Sequence, residues 1–175
     1  MTLWVFGYGS LLWNPGFEVA EQSVATLNGW HRSFCMSSIH HRGTEEHPGL
    51  VLALDAAEGA TCQGLALRVK PGTEDAAMAE LRERELVSSA YLETHCDVTL
   101  TDGRNVTTVT YVIDPDHRQY IHLSLEQQAH VISTAVGGRG PNTEYLYNTA
   151  SHLTELGIED AELDWLSARV KELTA

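Results

Sequence analysis

The segment FGYGSLLW, residues 6–13, sets two glycines, a tyrosine and a serine in an otherwise apolar run near the start of the chain. Glycines in an extended segment mark a bend, a bulge, or a place where something approaches the backbone closely. Backbone amides exposed at Gly7 and Gly9, with the Ser10 hydroxyl, are suited to hold a carboxylate or a developing oxyanion. The residue pattern by itself favours a structural bend and leaves the anion site open.

A phosphate-binding loop is excluded for this segment, because it lacks both the G-x-x-x-x-G-K-[ST] and the G-x-G-x-x-G patterns. Nucleic acid and anionic membranes are also poor partners, since a formal net charge of −13 with no Lys/Arg cluster repels phosphate. The apolar N-terminal segment is too short and too interrupted by glycine to be a signal or a membrane helix. These features predict a soluble, cytoplasmic protein, and the acidic surface favours a monomer.

A second candidate for chemistry is Glu85, in a segment rich in helix-forming residues. At about 100° per residue, Glu85 falls roughly 40° from Leu81 on the apolar face, whereas Glu83 falls on the opposite face. A carboxylate held among apolar neighbours has a raised pKa, as expected of a general acid/base that works near neutrality. The alternative is that Arg82 or Arg84 neutralises this carboxylate in a partly buried ion pair.

Tyr145 is a third candidate, with less to define its role. It follows the glycine-rich loop 137–142 by one turn of a predicted helix, close enough to line a pocket with that loop. A plain core or surface tyrosine fits the same position equally well.

Histidines and glutamates are concentrated in SIHHRGTEEHPG, residues 38–49, a composition that could indicate a metal site. His40 and His41 are adjacent rather than spaced to share a face, no cysteine is near, and we favour a solvated loop without metal. The three cysteines are odd in number and widely separated, which is typical of reduced thiols in a cytoplasm. A nucleophilic Cys96 beside His95 is a weak hypothesis, because neighbouring strand residues point to opposite faces.

The secondary-structure elements that must position these residues are predicted to be mostly strands in the first two thirds of the chain and helices in the last third. Strands are predicted over residues 27–39, 49–55 and 61–69, with a hairpin turn at AAEGA, and over 91–100 and 105–113. The last two flank Asp102-Gly103, a strong hairpin signal. Helices are predicted within 73–89 from an N-cap at Thr73, from a Ser124/Gln127 capping box to Gly137-Gly138, over 142–157, and over 160–173.

This order predicts an α+β fold with a mainly antiparallel sheet. The 175 residues, of which 43% are hydrophobic, fit a single domain over residues 1–175 that can bury a core without disulfides. No internal repeat, low-complexity tract or linker interrupts the chain.

Several segments, in order along the chain, resemble the ChaC-like γ-glutamylcyclotransferases, a family specific for glutathione. They are FGYGSLLWNPGF at 6–17, GWHRSFC at 29–35, RGT and PGL within 42–50, RELVSSAY at 84–91, and NTEYLYN at 142–148. FGYGSL alone recurs in related folds, but its combination with RE-x5-Y and N-x-EYL is specific. The resemblance extends over nearly the whole chain.

The resemblance implies a barrel-like sheet with surrounding helices, and cleavage of glutathione to 5-oxoproline and cysteinylglycine without a metal or an organic cofactor. It puts the catalytic glutamate at Glu85 and makes Tyr145 a pocket residue. The implied substrate loop comprises Tyr8, Gly9, Ser10, Leu11, Leu12 and Trp13. Relatives often carry a glycine in the run before Tyr91, where this sequence has Ser88-Ser89-Ala90, a difference that bears on the shape of the pocket.

Two other functions remain open beside this one, and each also has a small-molecule partner. The chain could act as a cyclotransferase on other γ-glutamyl amino acids or amines. It could also be a non-catalytic, regulatory ligand-binding protein, since members of the family have been described as cation-transport regulators. The intact Glu85 favours an enzyme, because a pure binding protein would not need a carboxylate at that position.

Overall fold

A computed structural model describes residues 2–86 and 90–175 and contains a closed barrel. Its strands are β1 (Trp4–Gly7), β2 (Val19–Ser38), β3 (Gly49–Val69), β4 (Tyr91–Leu100) and β5 (Asn105–Ile113). They close in the order β1-β3-β2-β4-β5, with a further pairing of β3 with β5. The β1–β3, β2–β4 and β4–β5 pairs are antiparallel, whereas β5 runs parallel to β1.

The helices are α1 (Glu74–Glu85), α2 (Leu125–Thr134), α3 (Asn142–Glu155) and α4 (Ala161–Thr174). Two short strands, β6 (Val136–Gly137) and β7 (Gly140–Pro141), pair with each other between α2 and α3. The predicted α+β class, with a barrel-like and mainly antiparallel sheet, is confirmed. Within the described part of the chain, no helix is both long and apolar enough to cross a membrane.

Backbone contacts divide the chain into two compact units. The first unit runs to Ser33 and resumes over Ala53–His117, so it contains β1, α1, β4 and β5. The second unit comprises Phe34–Leu52 and Arg118–Ala175, and it contains α2, α3 and α4. The single domain predicted over residues 1–175 stays a prediction.

Helix α1 is fixed in the first unit by its apolar face. Ala77 and Leu81 are buried in one cluster with Val5, Val109 and Tyr111 of the barrel strands. Burying a leucine side chain stabilises by about 1.5–3 kcal/mol, so this contact sets the rotation of the helix about its axis. The helix was predicted within 73–89, and residues 87–89 lie outside the described part of the chain.

The predicted hairpin turn at AAEGA, residues 56–60, is wrong, because β3 continues through this stretch. Gly59 adopts a φ of +81° there, a conformation that lets glycine bend a strand without ending it. Strand pairing therefore overrides the turn preference of these small residues. The Asp102-Gly103 turn is confirmed, and the Gly103 amide donates to Leu100 O at 3.0 Å.

The last third of the chain follows its local signals closely. The capping box at the start of α2 is confirmed, since Ser124 Oγ accepts from the Gln127 amide and Gln127 Oε1 accepts from the Ser124 amide. The helix ends at Thr134 rather than at Gly137-Gly138, because the residues after it pair as β6. What was predicted as a plain glycine-rich loop is thus a small two-stranded sheet.

Candidate active site

The FGYGSLLW segment leaves β1 and bends through a single 3₁₀ turn, Ser10–Leu12. A Cβ atom added to Gly7 would lie 2.8 Å from the Cβ of Leu11, so the turn passes too close to the strand end for a side chain there. The predicted structural bend is confirmed. The anion site at the same place stays a prediction.

Backbone hydrogen bonds close this turn. Gly9 O accepts from the Leu12 amide at 2.9 Å. Ser10 O accepts from the Asn14 amide, also at 2.9 Å. The amides of Ser10 and Leu11 come first in the turn, where helical geometry offers them no internal acceptor. We expect a bound carboxylate or oxyanion to use these two amides.

Tyr8 fixes the start of the turn to the barrel. Its buried side chain donates a hydrogen bond from the hydroxyl to Tyr111 O at 2.6 Å. Its own carbonyl accepts from Arg32 Nη1 at 3.1 Å, and that nitrogen also donates to Gln63 O at 2.8 Å. Arg32 was missed by the sequence analysis, where only its place in GWHRSFC distinguished it. Substrate binding by Tyr8 stays a prediction, and its visible role is to anchor the loop.

The rest of the predicted substrate loop is held by packing. Leu11 and Leu12 are buried, whereas Trp13 is half-buried. Leu11 belongs to the same apolar cluster as Leu81 of α1. The substrate loop and α1, which carries Glu85, therefore pack in the same apolar cluster.

Glu85 is the last residue of α1, and its side chain is only 14% exposed, whereas Glu83 is exposed. The predicted inward orientation is confirmed, because the helix packs through Leu81, one turn earlier. Burial, and then the hydrogen bond to Glu93, raise the pKa of Tyr111, and the charge of Glu85 adds to this shift. The Glu85 carboxylate therefore lies on the side of α1 that faces the barrel.

The ion pair considered for Glu85 exists in a loose form. Arg84 Nε lies 3.7 Å from Glu85 Oε1, which is beyond hydrogen-bonding distance for these two atoms. Arg82 contacts a different carboxylate, and its Nε and Nη2 donate to the two oxygens of Glu93 at 3.0 and 3.1 Å. Of the two arginines considered, Arg84 is therefore the one beside Glu85.

Arg84 connects the helix to the loop. Its Nη2 donates to Ser10 Oγ at 2.7 Å, and its Nη1 donates to Asn14 O. A serine hydroxyl that accepts a hydrogen bond keeps its own hydrogen available for donation, so Ser10 can be held by Arg84 and still donate to an anion. This contact was not predicted, because Ser10 and Arg84 are 74 residues apart and the sequence marks Arg84 only as a neighbour of Glu85.

The nearby carboxylate of Glu93 is committed to structural contacts. The hydrogen bond from Arg82 lowers the pKa of Glu93, the Tyr111 hydroxyl adds to this effect, and burial opposes it. Glu93 Oε1 accepts from the Tyr111 hydroxyl at 2.9 Å. A carboxylate that stays ionised and paired is poorly suited to carry a proton, so Glu85 is the better candidate for that role.

Tyr145 lies in the second unit and is packed there. Its hydroxyl oxygen accepts from the Leu52 amide at 3.1 Å, and its ring meets Phe34 edge to face at 6.0 Å. The Arg42 guanidinium lies over the ring, 5.6 Å from its centre. These contacts fit a core tyrosine, and the implied pocket role stays a prediction.

The histidine-rich segment and Cys96 are the remaining candidates for chemistry that the sequence offered. Across residues 2–86 and 90–175, no three His, Cys, Asp or Glu side chains are placed to hold a metal ion. His47 Nε2 instead lies 3.1 Å from Thr134 Oγ1. Burial, with a contribution from Asp97, raises the pKa of the Cys96 thiol, which disfavours the nucleophilic thiolate.

The fold has a known counterpart among solved structures. It is similar to a crystal structure of the yeast γ-glutamylcyclotransferase specific to glutathione, with a TM-score of 0.88 and 22% identity, covering 98% of this chain and 96% of that one. At this identity the likeness concerns the fold alone. The chain therefore has the γ-glutamylcyclotransferase fold.

Sequence comparison gives the family. The model of the ChaC-like protein family matches residues 3–173. The glutathione-specific γ-glutamylcyclotransferase of Escherichia coli (strain K12) is 40% identical over 174 residues, covering 99% of this chain and 74% of that protein. γ-Glutamylcyclotransferase 2-3 of Arabidopsis thaliana is 33% identical, covering 99% of this chain and 90% of that protein. The chain belongs to the ChaC-like family.

Proposed function

We propose that this protein is a γ-glutamylcyclotransferase that converts glutathione to 5-oxoproline and cysteinylglycine. The observation that carries the proposal is an inward-facing Glu85, joined through Arg84 to the turn of the predicted substrate loop. It occurs in a chain that is 40% identical to a bacterial enzyme named for this activity on glutathione.

The reaction needs no nucleophile from the protein. The α-amine of the γ-glutamyl group attacks the γ-carbonyl carbon of the same molecule, and the bond from that carbon to the cysteine nitrogen breaks. Effective molarities of well-oriented intramolecular reactions reach about 10⁵–10⁸ M, so holding the substrate folded supplies much of the acceleration. What remains for the protein is proton transfer and charge stabilisation.

Glu85 is suited to the proton transfer. Its carboxylate accepts a proton from the attacking α-amine and gives a proton to the departing cysteinylglycine nitrogen, so that it ends the cycle in its starting form. The side chain is largely removed from solvent, which limits exchange of that proton with water. A neighbouring guanidinium at 3.7 Å restrains the carboxylate without a hydrogen bond between Nε and Oε1.

The Ser10–Leu12 turn is suited to the charge stabilisation. Its first amides, with the Ser10 hydroxyl, are donors that precede the internally bonded part of the turn. Donors fixed in advance stabilise a developing oxyanion strongly, because they need no reorganisation during the reaction. Two hydrogen bonds hold this turn at the end of β1: the Tyr8 hydroxyl donates to Tyr111 O, and the Tyr8 carbonyl accepts from Arg32 Nη1.

The direct test is incubation of the purified protein with glutathione, followed by mass spectrometry. We expect 5-oxoproline and cysteinylglycine in equal amounts, with a rate proportional to enzyme concentration. γ-Glutamylalanine, which keeps the γ-glutamyl group and changes the leaving amine, should react more slowly. Equal rates would indicate a broader cyclotransferase, and no product from either compound would indicate a binding protein.

Gly9→Ala is expected to lower kcat/KM for glutathione by about tenfold to a hundredfold, because Gly9 directly precedes the turn and a side chain there would limit the close approach of the substrate to the backbone. The melting temperature should change little. Gly7→Ala is the contrasting variant, since its Cβ would meet Leu11 and should lower the melting temperature instead. A Gly9→Ala protein that unfolds, or one that turns over normally, would count against the proposed site.

We also propose a monomer that acts in the cytoplasm. The net charge of −13 supports a monomer, because like-charged surfaces repel each other. Three cysteines, an odd number with no disulfide between them, support a reducing compartment.

A further inference from the structure

We propose that Arg84 is a positioning residue of the proposed cyclotransferase reaction, on which this inference rests. Its guanidinium fastens the turn that follows β1 to the end of α1, and so holds the substrate loop at a fixed distance from the Glu85 carboxylate. Arg84 need not touch the substrate to do this. It acts through Ser10 and Asn14 on one side and through its chain neighbour Glu85 on the other.

The contacts of Arg84 hold the turn at both ends. Ser10, which accepts at 2.7 Å, is the first residue of the 3₁₀ turn, and Asn14, whose carbonyl accepts the second bond, follows its last residue by two positions. The carbonyl of Ser10 already accepts from the Asn14 amide at 2.9 Å. The guanidinium therefore adds a second connection between Ser10 and Asn14.

Arginine is required for this geometry. Its guanidinium presents several N–H donors in a rigid, planar fork, so two nitrogens can meet two acceptors while Nε faces a third group. Here Nη1 and Nη2 meet the loop, and Nε faces Glu85. A lysine keeps the charge, but it presents a single nitrogen on a flexible stem and cannot span both ends of the turn.

The helix side of the connection is rigid. Ala77 and Leu81 anchor α1 in the apolar cluster, and the side chain of Arg84 is only 16% exposed. Leu11, inside the turn, belongs to the same cluster. Without Arg84 the turn would keep this apolar anchor but lose the polar contact that sets its rotation, and with it the aim of its amides.

The test compares four single variants for activity on glutathione: Arg84→Gln, Arg84→Lys, Ser10→Ala and Arg104→Gln. We expect both Arg84 variants to lower kcat/KM by about tenfold to a hundredfold, mainly through kcat, since a displacement of about 1 Å can cost about a hundredfold. Arg104 is the control for loss of charge, because it is an exposed arginine paired with Glu21 and Asp102, and its replacement removes the same charge. Arg104→Gln should stay within about twofold of the wild type.

The double variant Arg84→Gln/Ser10→Ala separates positioning from a general loss of stability. If Arg84 acts through Ser10, the double variant should lose less activity than the product of the two single losses. Losses that multiply fully would overturn the proposal. So would wild-type activity in Arg84→Lys, because this result would mean that the charge beside Glu85 matters and the two-ended contact does not.

Hydrogen exchange measures the contact without relying on activity. The amides of Leu12, Trp13 and Asn14 close the turn, and they should exchange faster in Arg84→Gln than in the wild type or Arg104→Gln. Unchanged exchange would overturn the proposal even if activity fell. If the wild type formed no 5-oxoproline, the proposed function would fail, and exchange would still decide whether Arg84 holds the turn.

Discussion

Glu85→Gln is expected to reduce kcat for glutathione cleavage by about 10²–10⁴-fold, the range that a general acid/base group contributes. Glutamine keeps the shape and the polarity of the side chain but cannot accept and return a proton. The loss should fall on kcat rather than on KM, because the substrate can still bind in the same pose. Initial rates of 5-oxoproline formation over a range of glutathione concentrations measure both constants.

The matched control is Glu83→Gln, two residues earlier on the same helix. Glu83 is exposed, and the same chemical change there should leave kcat within about twofold of the wild type. Circular dichroism and thermal melting of Glu85→Gln would establish that the protein is folded. A folded Glu85→Gln protein with the wild-type rate would remove Glu85 from the mechanism.

Asn142→Ala is expected to lower the free energy of unfolding by about 2–5 kcal/mol, which is a large part of the 5–15 kcal/mol typical of a native protein. The Asn142 side chain is fully buried and binds the backbone of Leu50 in both directions. Its Oδ1 accepts from the Leu50 amide, and its Nδ2 donates to the Leu50 carbonyl, both at 2.8 Å. Alanine would leave a buried donor and a buried acceptor without these partners.

Urea unfolding tests this expectation. The urea concentration at the midpoint is compared between variants whose unfolding free energy depends on urea with the same slope. Asn148→Ala is the control, because it makes the same change in the same helix at a half-buried position. Alanine has the higher helix propensity, so this control should be neutral or slightly stabilising. A midpoint for Asn142→Ala equal to that of Asn148→Ala would mean that the paired hydrogen bonds contribute nothing to stability.

The hydrogen bonds of Asn142 and Tyr145 in α3 explain part of the NTEYLYN motif. Asn142 and Tyr145 lie one turn apart on the helix, and they bind the backbone of Leu50 and Leu52, which lie two apart on β3. Residues three apart on α3 thus bind residues two apart on β3. The pocket role predicted for Tyr145 stays a prediction, and within the second unit these two residues fasten a helix to a strand.

Local signals in the sequence were enough for the starts of the helices and for the face of Glu85. The period of the helix put Glu85 on the side of Leu81 and Glu83 on the other, and burial follows that assignment. The capping box at Ser124 and the Asp102-Gly103 turn were equally readable, since each involves groups within a few residues of one another. For such features the interacting groups are already neighbours in the unfolded chain.

Tertiary structure decided the rest, because the deciding partners are far apart in the sequence. AAEGA has the composition of a turn, yet pairing with neighbouring strands keeps it within β3. Arg84 is separated from Ser10 by 74 residues, and the hydroxyl of Tyr8 reaches a carbonyl 103 residues away. No periodicity encodes such contacts, which exist only when the barrel closes and α1 packs on it. The sequence by itself determined which residues of α1 face inward, because helical periodicity is local, and the packing of the barrel with α1 determined which distant residues they meet.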